Sequence, residues 1–98
     1  MCKTQIFNDI LQIVSEETEK NEALILSDNK STAVVDARSI LVDILREKGL
    51  YPVQIAEYLH KTPAGIRNLI SGFENRKRSN GILAIYSQRI RNRMKRDS

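Results

Sequence analysis

The sequence predicts an all-α fold, a compact bundle of about five to six helices that contains a helix-turn-helix. Three observations support this. Apolar residues recur at spacings of three and four along most of the chain, and no strand-like alternation is sustained. The breaks carry helix stop and start residues: Gly49 behind Arg46 and Lys48, then Pro52, then Thr62-Pro63. The composition, 41% hydrophobic and 29% charged, is that of a folded chain, and the lack of Trp leaves the core to Leu, Ile and Val. A length of 98 residues suits one domain, 1–98.

Phe7, Ile10, Leu11 and Val14 fall on one face of a first helix, with Thr4 as its expected N-cap. The acidic stretch 15–22 continues or ends that helix on its solvated side. Residues 23–26 read as one helical turn, and Ser27-Asp28-Asn29-Lys30 as a turn by composition. The next helix starts at Ser31 or Thr32 and buries Val34, Ala37, Ile40, Leu41, Ile44 and Leu45. It is the expected core helix. Pro52 opens a short helix that ends at Leu59, and His60-Lys61 breaks it. Thr62 then caps a helix whose first position is Pro63, where a missing N–H costs nothing. Its apolar face is Ile66, Leu69, Ile70 and Phe73. Residues 75–80 read as a polar stretch around a second break near Gly81. The last helix, 81–96, carries Leu83, Tyr86, Ile90 and Met94 in a stripe among arginines.

The two helices within 52–76 match a helix-turn-helix in their spacing. The motif needs a small residue in the first helix so that the second can cross closely, and apolar residues on both inner faces. Ala56 is that small residue; Ile66 lies ten positions on and Leu69 three beyond it. A glycine is usual in the turn. His60 holds its place, and His enters the left-handed region more readily than most residues.

With the apolar face turned inward, Ala64, Gly65, Arg67, Asn68 and Ser71 face out. Arg can bond guanine edges and Asn adenine edges in the major groove. Ala64 and Gly65 at the helix start permit close approach of a phosphate to backbone N–H groups. No acid interrupts this face before Glu74. Lys61, Thr62, Arg76, Lys77 and Arg78 flank it and are expected to meet phosphates or the backbone. Charge supports a polyanion partner: residues 1–59 hold six Lys and Arg against ten Asp and Glu, a net of −4, whereas 60–98 hold ten against two, a net of +8.

Residues 10–76 resemble the C-terminal DNA-binding domain of the bacterial replication initiator DnaA, one of the Trp-repressor-like helix-turn-helix folds. The likeness begins at Ile25-Leu26-Ser27, continues through Lys30-Ser31, Val34 and Arg38, and runs on through Leu50, Ile55 and the second helix of the motif. It implies that Lys30 and Ser31 touch the DNA backbone and that Arg38 reaches toward the minor groove. Thr62-Pro63-Ala64-Gly65 falls where the family reads bases with Asp-His-Thr-Thr. None of those four residues is retained, the turn is one residue shorter, and Asp28 replaces a basic residue of the loop. The resemblance therefore implies the fold and DNA binding, but not recognition of the initiator's own origin box.

The expected function is sequence-specific binding of double-stranded DNA in transcriptional or replication regulation, without catalysis. A homodimer is the option a palindromic target would require. The four glycines are scattered and form no phosphate-cradling loop, so no nucleotide or other cofactor is expected. One Cys and one His cannot supply a zinc site alone. A lone Cys2 suits a reducing cytoplasm, and DNA as partner makes the expected location nucleoid-associated. No apolar run is long enough to span a bilayer. The rival reading is a protein-interaction module that uses Tyr86, Ile90 and Met94 as a dimer seam. Membrane attachment through the basic last helix ranks below both, because its apolar face is narrow.

Overall fold

The structure, a computed structural model, describes residues 2–97, so the two end positions of the expected domain lie outside it. Six helices follow in order: α1 (Lys3–Thr18), α2 (Glu22–Ile25), α3 (Thr32–Glu47), α4 (Pro52–Leu59), α5 (Pro63–Ser79) and α6 (Gly81–Asp97). All regular structure among the described residues is helical, as the periodicity predicts.

α3 is the centre of the bundle and contacts each of the other five helices. Its residues Ile40, Leu41, Val42, Ile44 and Leu45 are all buried. Each such side chain taken fully out of water contributes about 1.5–3 kcal/mol. Phe7, Ile10, Leu11 and Val14 join the same core from α1, Ile55, Ala56 and Leu59 from α4, Ile66 and Phe73 from α5, and Leu83 and Ile90 from α6. Leu69 and Ile70 are only partly buried at its edge.

Three helices end alike. After α1, α3 and α4 the chain turns through a left-handed residue: Glu19 (φ 57°), Gly49 (φ 98°) and His60 (φ 56°). In each case the following N–H reaches back five residues to a carbonyl of the last turn: Lys20 to Ser15, Leu50 to Leu45, and Lys61 to Ala56. This is the Schellman closure, in which glycine is the usual left-handed residue. His60 thus takes the backbone conformation that the sequence assigns to it.

Two expectations are corrected. Thr4 does not cap α1; the helix already begins at Lys3, and the Thr4 hydroxyl lies 3.1 Å from the Tyr58 hydroxyl. That contact, with the stacking of Phe7 on Tyr58 at 4.8 Å, ties α1 to α4. The break near Gly81 is found at Asn80 as expected, but α5 outruns the expected 52–76 span and continues to Ser79. Asp36 on α3 accepts from Arg76 (3.1 Å) and from the Asn80 side chain (3.2 Å), which secures the last turn of α5. Arg76, Lys77 and Arg78 also suit the negative end of the helix dipole.

Candidate nucleic-acid interface

α4 and α5 are joined by three residues, His60, Lys61 and Thr62. Thr62 caps α5 as expected, its hydroxyl accepting from the Gly65 N–H at 3.1 Å, and Pro63 takes the first helical position. Gly65 has a reason inside the chain. A Cβ there would stand 3.2 Å from the capping Thr62 oxygen, tighter than ordinary contact. The glycine spares the cap, and it costs the helix about 1 kcal/mol against alanine.

α5 buries Ile66 and Phe73 and leaves Ala64, Arg67, Asn68 and Ser71 exposed. The Arg67 guanidinium and the Asn68 side-chain amide have no partner among the described residues. The Ser71 hydroxyl turns back to the Asn68 carbonyl at 3.3 Å, so it is engaged within the helix.

Between this helix, the start of α3 and the turn at 27–30 lies an open groove of about 890 Å³. It brings together Lys30, Arg38, Lys61, Thr62, Gly65, Asn68 and Arg76 from the expected set. Ser31, Ala64, Arg67, Ser71, Lys77 and Arg78 stand outside it. The groove also takes in Asp28, Leu69 and Gly72. Lys30 and Ser31 are exposed, and Ser31 donates its N–H to the Asn29 side chain at 2.8 Å as α3 begins.

The cations of the groove are not equivalent. Arg38, expected to reach DNA, is 4% exposed and lies under the turn. Its guanidinium donates to the carbonyls of Ile25 (2.8 Å), Ser27 (2.6 Å) and Asn29 (3.2 Å). It is a clamp for the α2–α3 connection rather than an extended arm. Burial pushes its pKa below the ordinary value, against the pull of the Asp28 carboxylate. Lys61, expected on a phosphate, donates to the Ser27 carbonyl (2.9 Å) and the Asp28 carboxylate (2.5 Å). Arg76 is held on Asp36. Lys77 pairs with Glu74 at 3.0 Å and lies over the Phe73 ring. Arg78 is exposed and carries no ion pair among the described residues.

Sequence reasoning missed these intramolecular partners. Arg38 lies 13 residues from Ile25, Lys61 lies 33 from Asp28, and Arg76 lies 40 from Asp36. No local pattern announces pairs so far apart.

No family model and no curated protein matches this chain. Among the described residues no group of three or more His, Cys, Asp or Glu could hold a metal ion, and no helix is long and apolar enough to cross a membrane. The stripe weighed as a dimer seam is occupied within the chain: Ile90 is fully buried, and Tyr86 and Met94 pack against the core. The large apolar residues exposed on α6 among the described residues are Ile82 and Ile85 instead.

Proposed function

We propose that α4, the turn and α5 act as a helix-turn-helix that binds double-stranded DNA, with α5 in the major groove. The observation that carries this reading is the pairing of two faces on one helix. Ile66 and Phe73 anchor α5 in the core, while Arg67 and Asn68 stand exposed with their hydrogen-bonding groups unengaged among the described residues. Those are side chains suited to guanine and adenine edges. Arg78 and Lys30, both exposed, would meet phosphates on either side. Arg38 and Arg76 would act from within, by holding the turn and α5 in place. The likeness to the DnaA C-terminal domain supports the same reading, with a regulatory role in transcription or replication.

Selection of bound duplexes from a random pool at two salt concentrations tests this. A sequence preference is expected, with affinity falling by about 0.9 log units per log unit of salt for each phosphate engaged. Recovery of no preferred sequence, with affinity indifferent to salt, would sink the reading.

A further inference from the structure

Asp28 stands at the mouth of the groove with its side chain 94% exposed, yet its carboxylate lies 2.5 Å from the Lys61 ammonium. It has no other partner among the described residues. Lys61 is different: its side chain is only 18% exposed, and the Ser27 carbonyl holds it at 2.9 Å independently of Asp28. The Lys61 ammonium holds the Asp28 carboxyl below its ordinary pKa of 3.8, and the charges of Lys30 and Arg38 act in the same direction. One cation thus touches this exposed carboxylate and two others act on it at longer range.

An ion pair whose carboxylate is solvated contributes little to folding. The carboxylate can therefore rotate into water at small cost, and the Ser27 carbonyl would keep Lys61 aimed at the groove. A phosphodiester carries the same single negative charge on paired oxygens, so it can replace the carboxylate charge for charge.

We propose that Asp28 is an intramolecular competitor for a nucleic-acid phosphate: it occupies Lys61 in the free protein, swings out when a duplex enters, and so sets the affinity of the groove. This rests on the DNA-binding reading above.

The test is a double-mutant cycle of the parent, Asp28→Asn, Lys61→Gln and the double variant. The amide introduced by Lys61→Gln can still donate to the Ser27 carbonyl, and circular dichroism confirms the fold of each protein. A short labelled duplex is titrated by fluorescence anisotropy at several salt concentrations. Asp28→Asn is expected to bind about three- to fivefold tighter, with the gain largest at low salt, where the competing Lys61–Asp28 pair is screened least. In the Lys61→Gln background the same change should give less than about a twofold gain. An equal gain in both backgrounds would mean general charge repulsion and overturn the proposal, as would no gain in either. If no duplex binds any of the four, the DNA reading itself fails. Inorganic tripolyphosphate, followed through the Lys61 ammonium signal by NMR in the parent and Asp28→Asn and by calorimetry in all four proteins, then tests the seat alone. Tighter binding in Asp28→Asn that vanishes in the double variant supports competition; equal or absent binding overturns it.

Discussion

Replacing Arg38 by Leu separates a clamp from a DNA-contacting arm. The guanidinium holds three carbonyls, of which that of Ser27 keeps Lys61 as a second donor. The carbonyls of Ile25 and Asn29 would lose the donor that Arg38 provides. The buried Ile25 carbonyl left unpaired costs about 1–3 kcal/mol, whereas Asn29 is exposed, so its carbonyl can turn to water and loses only an ordinary bond of about 0.5–1.5 kcal/mol. The new leucine returns about 1–2 kcal/mol through apolar burial. The expected net loss is about 1–2 kcal/mol, a sizeable share of the roughly 5–15 kcal/mol that stabilises a small domain. In urea, with a slope of about 1–3 kcal/mol per molar, the midpoint should fall by about 0.5–1 M while the slope stays constant. Arg38→Lys should recover only part, since one ammonium cannot span three carbonyls in the fork geometry of a guanidinium. A leucine variant that kept the parent's midpoint while losing duplex affinity would refute the clamp and restore Arg38 as a DNA contact.

Three further sites give independent tests. Gly72 is helical, and a Cβ there meets nothing within 4 Å, so Gly72→Ala should stabilise by about 1 kcal/mol and raise the melting temperature by about 4–8 °C in calorimetry. His60→Gly should also stabilise, by about 1 kcal/mol, because it removes the left-handed strain at φ 56°; a lower melting temperature would count against that assignment. Arg67→Ala should cost about 1–3 kcal/mol of binding on a preferred site and relax specificity there, whereas Arg78→Ala should weaken all duplexes alike. If Arg67→Ala binds every duplex as well as the parent, α5 is not the reading helix.

The helices were legible because their signals are local. Apolar spacing gives α1, α3 and α6, and Thr62 and Pro63 mark the start of α5 within a residue. The left-handed conformation at His60 was legible for the same reason, since the three-residue turn between α4 and α5 demands it. Contacts between distant residues were not. Lys61 reads as a DNA contact from its charge and place, and Arg38 from the family resemblance, and only folding reveals that the 27–30 turn engages them. The extent of α5 was hidden likewise, because Asp36 on another helix helps fix its last turn. Arg67 and Asn68 were legible, since an outward face follows from the inward one at helical spacing.

The uneven charge of the two halves has a use inside the molecule. Asp36 binds Arg76, Asp43 and Glu47 bind Arg91, and Glu16 and Glu17 bind Arg93. In every one of these pairs the acid comes from α1 or α3 and the base from α5 or α6. The acidic half therefore draws the basic half across the bundle, and part of the positive excess is neutralised before any partner arrives. At the surface such pairs are worth about 0–1 kcal/mol each, but the Asp36 and Asp43 side chains are largely buried, so removing Arg76 or Arg91 would leave a carboxylate unpaired at a higher cost. Arg67, Arg78, Arg89 and Arg96 carry no ion pair among the described residues. The positive field available to a polyanion is thus carried by these four more than by the ten cations of the C-terminal stretch, and two of the four stand on α5. A net charge read from sequence overstates a binding surface wherever the fold brings the opposite charge to meet it; what remains unpaired is the better guide, and here it leads back to the helix that presents Asn68.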